Sequence, residues 1–391
     1  MPPRRPAVVH VMGWHSRQYG SFERFLVALA QSCDRSGPES HFVFPDAPDS
    51  CAFVRDAPAA IHLISSPAGV GDPRFARRLG GLLRRLRPTH LHAHFGLDAY
   101  EALATAATFG IPARFTTKHI TPSSSRASVV RHRLLAALVE AVFAVSSDVG
   151  DRLAALGVPT RKLEVVHLGV DPDAYRPDPT AGDALRAELG LAPRTRLVVS
   201  TSHLRPGKGV ELMPGLAAAL AQQPGGACVL VAGDGPLRAA LEAESRRRRL
   251  GADRIRLLGL REDVPRLLAA ADVFVFPTVG SEGYPLGPLE ALASARPVVA
   301  SGVGELGRSL AGGAEIVPPG DERALVAACR RLLADPAGAE ALGAAGRRLV
   351  TERFSTQRAA DRHVAVYLGR AARRRSPPRT PPTGGASTPR P

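Results

Sequence analysis

The stretch SEGYPLGPLEALASARPVVAS, residues 281–301, places two carboxylates, Glu282 and Glu290, eight positions apart. Gly283, Pro285, Gly287 and Pro288 lie between them and exclude a continuous helix up to Pro288, which suits a first helical position. Glu290 then falls in the first turn of a helix, where the dipole favours a carboxylate, and Glu282 sits on the loop before it. So placed, both can accept hydrogen bonds from hydroxyl groups of one ligand. Taken alone, they could equally decorate a helix start and a surface loop.

A second stretch, STSHLRPGKGV (200–210), runs from a strand into a helix. Pro206, Gly207 and Gly209 shape a tight loop, and a helix N-terminus offers unpaired N–H groups to an anion. Lys208 adds a point charge, with His203 and Arg205 close by. The GxxxxGK[ST] spacing of a Walker loop is absent. An ordinary strand–helix turn with a solvated lysine is the competing reading. Lys208 is one of only three lysines, with Lys118 and Lys162, which favours a phosphate ligand. GDGP (233–236) also follows a strand, but a turn with Pro at a helix start explains it.

In the first half, Gly20 opens GSFER and could let a phosphate approach the backbone closely. His119 ends the strand-like ARFTTKH beside Lys118. His90, His92 and His94 alternate along HLHAHFG and share one strand face. A three-histidine metal site competes there with hydrogen-bonded histidines at a strand end. No acidic or cysteine partner lies nearby in sequence, which favours the second.

These residues need elements to hold them. Strand-like runs at Ala7–Gly13, His41–Phe44, Ile61–Ile64, His90–Phe95, Arg114–His119, Val142–Ser146 and Leu163–Leu168 alternate with helical patterns at Phe22–Gln31, Pro73–Leu86, Tyr100–Thr108 and Arg133–Leu138. The Pro- and Asp-rich segment 171–183 reads as a linker. The alternation then restarts, with strands at Leu197–Thr201, Cys228–Ala232, Ile255–Leu258, Val273–Phe276, Val298–Ala300 and Ile316–Val317. Helices are expected at Gly209–Gln222 and Pro236–Arg249, with a last one over Gln357–Ala372. Such alternation predicts an α/β protein: two doubly wound parallel-sheet, Rossmann-like domains facing a deep cleft.

With 391 residues, 45% of them apolar, the chain can bury two cores. No signal peptide or membrane-spanning run is evident, and the four cysteines show no metal spacing. A cytoplasmic protein is expected. Helix 73–88, with Phe75, Leu79, Leu82 and Leu86 among arginines, could touch the inner face of a membrane, against the plainer reading of a core-facing stripe. Behind the net charge of +15 every basic residue but Lys118, Lys162 and Lys208 is arginine, with six arginines in the last 22 residues. Aromatics are 5% and not interleaved with basic residues, so nucleic acid is not an expected partner.

Together, EGYPLGPLEALASARPVVAS, HLRPGKGVEL, LVAGDGPLRAALE, LREDVPRLLAAADVFVFPT and AVSSDVGDRLAALGVPTRKLEVVHLGVD resemble the retaining GT-B glycosyltransferases of family 4, over the chain to about residue 370. The resemblance implies an acceptor-side domain at 1–175, a nucleotide-sugar domain at 176–355 and a helix at 356–372 crossing back to the first domain; the Pro/Arg-rich composition of 373–391 predicts a disordered tail. It implies that Glu282, with the backbone of Gly283, Tyr284, Pro285 and Leu286, holds the donor sugar, and that Glu290 binds the ribose. Lys208, helped by Gly20, would neutralise the diphosphate, and His119 would reach the sugar from the N-terminal side. Glu282, His119 and Lys208 are thus the candidate catalytic residues. Four positions depart from the family pattern: His203 for an arginine that Arg205 could replace, Ser21 for the second glycine of a pair, Leu168 for an asparagine, and Arg308 for a glutamate.

The expected reaction moves a sugar from a nucleotide diphosphate sugar to an acceptor hydroxyl with retention, with no metal or other cofactor. A nucleotide-sugar epimerase or hydrolase of the same fold, and a catalytically silent binding protein, are the alternatives. A dinucleotide dehydrogenase is disfavoured, since no GxGxxG follows the first strand of either half.

Overall fold

The computed structural model describes residues 5–13, 19–46, 55–65, 72–95, 98–192, 195–222, 226–280 and 282–375. The N-terminal sheet comprises β1 (Ala7–Met12), β2 (Glu39–Phe44), β3 (Ala59–Leu63), β4 (His90–His94), β5 (Ala113–Lys118), β6 (Ala141–Ala144) and β7 (Leu163–Val165). Its helices are α1 (Ser21–Ser36), α2 (Pro73–Leu86), α3 (Asp98–Thr108), α4 (Arg126–Leu138) and α5 (Ser147–Ala155). The strands lie in the order β3-β2-β1-β4-β5-β6-β7, paired in parallel throughout.

The second sheet takes β8 (Arg196–Thr201), β9 (Ala227–Ala232), β10 (Ile255–Gly259), β11 (Val273–Phe276), β12 (Val298–Ser301) and β13 (Glu315–Val317), in the parallel order β10-β9-β8-β11-β12-β13. Around it lie α6 (Pro179–Glu188), α7 (Met213–Ala221), α8 (Arg238–Arg247), α9 (Val264–Ala270), α10 (Gly287–Ala293), α11 (Leu306–Ser309), α12 (Glu322–Ala334) and α13 (Pro336–Arg353). Helices on both faces explain the uninterrupted apolar runs: ACVLVA of β9 and VFVF of β11 are buried along their whole length. Each sheet reverses its winding once, at β1/β4 and at β8/β11. The crevices beyond the carboxyl ends of those strands are where such sheets bind ligands.

A last helix, α14 (Thr356–Arg375), packs against α1. Ser32 Oγ donates to Asp361 at 2.6 Å, and buried Tyr367 hydrogen-bonds His92 of β4 at 2.5 Å. The helix runs to Arg375, three residues into the segment assigned to the tail; 376–391 lie outside the described residues.

Two expectations from sequence need correction. The linker 171–183 gives way to helix α6 at Pro179, because Asp178 caps it by accepting from the Ala181 N–H and Pro179 sits in its first turn. Gly209 does not open a regular helix. It takes φ of 67°, and a Cβ there would run into the Pro277 carbonyl; a short 3₁₀ turn (Val210–Leu212) precedes α7. Helix 73–88 turns its apolar face inward, with Phe75, Leu79, Leu82 and Leu83 buried and Leu86 half-buried, so its exposed face is mostly arginine, in line with the plainer core-facing reading. Among the described residues no helix is long and apolar enough to cross a membrane.

Candidate active site

On the C-terminal side, two loops at the β8/β11 switch are tied together by hydrogen bonds. The Gly207 carbonyl accepts from Val279 N–H (2.9 Å), Gly280 N–H (2.7 Å) and Thr278 Oγ1 (3.0 Å). This brings Lys208 onto Glu282: Nζ donates to Oε1 at 2.6 Å, and Thr278 Oγ1 lies 3.0 Å from the same oxygen, its single proton shared between it and the Gly207 carbonyl. Both charged groups are mostly covered, with 14% and 15% of their side-chain surfaces exposed. The sequence placed Lys208 and Glu282 in separate constellations; in the structure they form one pair. His203 and Arg205 of the same loop are exposed.

Glu290 sits in the first turn of α10, and its Oε1 accepts from two hydroxyls of other segments. Ser21 Oγ donates from α1 at 2.6 Å and Tyr175 Oη at 3.2 Å. Burial pushes the Glu290 carboxyl above its ordinary range, while these two bonds and nearby Arg24 oppose the shift. Gly20, expected to let a phosphate approach the backbone closely, opens α1 with its amide already engaged. Its N–H donates to Glu23 Oε2 at 3.0 Å, three residues on, which satisfies an orphan helix donor internally.

The glycine at 283 is required by close approach. A Cβ there would collide with the carbonyl oxygen of His119, so this backbone lies directly against the end of β5. Thr121 Oγ1 reinforces the contact by donating to the Glu282 carbonyl at 3.3 Å. His119 itself stacks on Phe95 (centroids 3.8 Å, planes 15° apart) and meets Phe22 edge-on. Burial first, then His363 and Lys118, lower its pKa to about 3, so the ring is neutral near pH 7, and its Nε2 has no partner among the described residues. That nitrogen is covered from solvent, so a sugar hydroxyl would reach it only if the Phe95 and Phe22 rings packed on His119 shift. Tyr284 is buried beside His167 (4.7 Å) and Phe354 (5.7 Å), which leaves only its backbone for a ligand. Pro285 and Leu286 are half-buried.

A contact absent from the sequence reading joins the domains beside this loop. Glu305 Oε1 meets His167 Nε2 at 2.7 Å, and its Oε2 accepts the Ser147 N–H at 2.5 Å. Against burial, which would raise it, these bonds hold the Glu305 carboxyl below its usual range. Arg308, where a glutamate was expected, pairs with Asp148 at 3.0 Å.

The histidine trio is not His90, His92 and His94. His10, opposite His92 on β1, takes the place of His90, and nitrogens of His10, His92 and His94 lie within 4.8 Å of one another. Both ring nitrogens of His92 are engaged, by Tyr367 at 2.5 Å and Thr117 at 2.8 Å. Neither His10 nor His94 finds a hydrogen-bond partner among the described residues. Cross-strand register, which a single strand's alternation cannot reveal, selects His10.

Comparison with known proteins accords with this geometry. Residues 22–174 match the family Glycosyltransferase Family 4 and residues 195–335 the family Glycosyl transferases group 1. The lipopolysaccharide core biosynthesis mannosyltransferase LpsB of Rhizobium meliloti is 32% identical over 256 residues, covering 63% of this chain and 70% of that protein. A GDP-mannose-dependent alpha-(1-6)-phosphatidylinositol monomannoside mannosyltransferase of Mycolicibacterium smegmatis is 30% identical over 241 residues, 59% of this chain and 63% of that one. Among solved structures, HepE of Anabaena in complex with UDP superimposes with a TM-score of 0.76 at 19% identity, covering 93% of this chain and 99% of that one. The two facing parallel-sheet domains are the GT-B fold.

Proposed function

The chain belongs to glycosyltransferase family 4, and from that premise we propose that it moves a sugar from a UDP- or GDP-sugar to an acceptor hydroxyl with the anomeric configuration retained. The observation that carries the reading is the Lys208–Glu282 pair at the β8/β11 switch, with its loop pressed on the end of β5 at His119. In the donor complex Glu282 accepts from sugar hydroxyls. The Lys208 ammonium turns toward the diphosphate, helped by the Arg205 side chain and the N–H groups of Gly207 and Gly209. Glu290 accepts from the ribose, and His119 hydrogen-bonds the sugar from the opposite wall.

Retention without an enzyme nucleophile is the form of the reaction proposed, with both carboxylates kept for binding the donor rather than attacking it. Glu282 is already committed to Lys208 and Thr278, and Glu290 to Ser21 and Tyr175. The acceptor oxygen then attacks the anomeric carbon on the face that the phosphate leaves. The departing phosphate oxygen takes the acceptor proton while Lys208 stabilises its growing charge. One well-placed donor in a dry site contributes about 3–4 kcal/mol to such a step. No metal is required where side chains and backbone amides neutralise the diphosphate. Proton NMR of the sugar transferred from an α-linked donor, run in excess chelator, tests both points. An α-linked product at undiminished rate is expected. A β-linked product would overturn retention, and abolished turnover would overturn the metal-free step.

A further inference from the structure

Exposed large apolar side chains are scattered singly over most of this molecule, as on ordinary soluble surfaces. One segment differs. Ile120, Val130 and Leu134 are 72%, 59% and 63% exposed within fifteen residues of chain. On α4 the exposed apolar positions Ala127, Val130, Leu134 and Ala137 recur every three or four residues and so form one stripe. The opposite face, with Ser128, His132, Leu135 and Ala136, is buried against the domain. Arg126, Arg131 and Arg133 are exposed beside the stripe, and no acidic residue occurs from His119 to Val139.

We propose that this face of α4, with Ile120, docks on a lipid bilayer surface that carries anionic headgroups. The apolar stripe would enter the headgroup–acyl boundary while the arginines pair with phosphates, as interfacial helices do. A second copy of the chain fits less well, because it would bring arginine-flanked faces of a chain charged +15 against each other. The face has a functional address. The loop that leads from β5 into α4 carries His119 and the Thr121 that bonds Glu282, so docking here sets the cleft wall at the membrane surface. An acceptor with a lipid anchor could then present its hydroxyl there without leaving the bilayer. The docking itself stands apart from the glycosyl-transfer reading, since it is measured without turnover.

Co-sedimentation of the full chain with vesicles of phosphatidylcholine, with and without phosphatidylglycerol, tests the proposal. The protein is expected to partition onto the anionic vesicles only, and to be released as salt rises. Val130→Asp with Leu134→Asp should lower partitioning about tenfold or more. Arg126→Ala and Arg131→Ala should each lower it about fivefold at low salt. Melting temperature and nucleotide release of the Val130/Leu134 variant should match the parent; if it misfolds, Val130→Ser with Leu134→Ser takes its place. Absence of partitioning overturns the proposal. So does partitioning that the Val130/Leu134 variant leaves unchanged, which would belong to arginines elsewhere in the chain. A dimer seen by light scattering without vesicles, and lost in the same variant, would assign the face to a second copy instead.

Discussion

The two halves of this molecule treat charge and histidine in opposite ways. Ten of the twelve histidines lie in residues 1–175 and one, His363, on the helix that packs against them; the C-terminal domain holds only exposed His203. The N-terminal half buries neutral imidazoles: His10 and His119 are lowered to about 3, His363 to about 4, and His92 and His94 well below their ordinary value, each chiefly by burial. The C-terminal half carries a largely covered ion pair at the cleft, Lys208–Glu282, while N-terminal pairs such as Arg5–Asp34 lie about half exposed. His10, His92, His94 and His363 are fully buried in the core, so of these imidazoles only His119 is placed to serve the proposed donor site, opposite the Lys208–Glu282 pair.

The largest expected effect breaks the C-terminal wall. Lys208→Ala should lower kcat by roughly a hundred- to a thousandfold, measured as nucleotide release at saturating donor. An unchanged rate would remove Lys208 from the reaction.

Acid separates the two halves next. Their folded pKa values are depressed, so the buried histidines stay neutral while unfolded histidines take up protons below about 6.5. Stability is then complete above that pH and lost as pH falls from 6.5 toward 3, by on the order of 1 kcal/mol per pH unit for each such imidazole. Hydrogen exchange should show the β1/β4/β5 sheet opening first as pH falls from 6.5, while β8, β9 and β11 keep their protection. Simultaneous opening of both sheets would contradict the asymmetry.

A smaller effect lies where the halves touch. Ser21→Ala removes one donor to Glu290 and should cost about 1–2 kcal/mol in thermal unfolding. Smallest of all, Arg308→Ala breaks a pair whose arginine is 69% exposed, and should change stability by less than about 1 kcal/mol.

The same contrast decides what could be read from sequence. Glu282, Lys208 and Glu290 belong to strand–loop–helix crossovers whose prolines and glycines announce the bend locally, and both sheets follow from alternating apolar patterns. The partners are another matter. Ser21, Tyr175 and Thr278 reach their carboxylates from 269, 115 and 4 residues away, and only the last is local. His10 joins His92 and His94 through strand register, and Tyr367 reaches His92 across 275 residues. Helix α4 was legible only in its second half, at Arg133–Leu138; its start at Arg126 is set by Ser125, which caps the helix by accepting from the Ser128 N–H. What is local in the chain was visible, and what packing alone brings together was not.

The central claim is that the two walls act together on one nucleotide sugar. Purified protein should be given a panel of UDP- and GDP-sugars with simple hydroxyl acceptors, with nucleoside diphosphate release and calorimetric donor binding recorded side by side. The account predicts that at least one donor both binds and is turned over, with release accelerated by acceptor. Donors that bind while none releases its nucleotide, with or without acceptor, would contradict it.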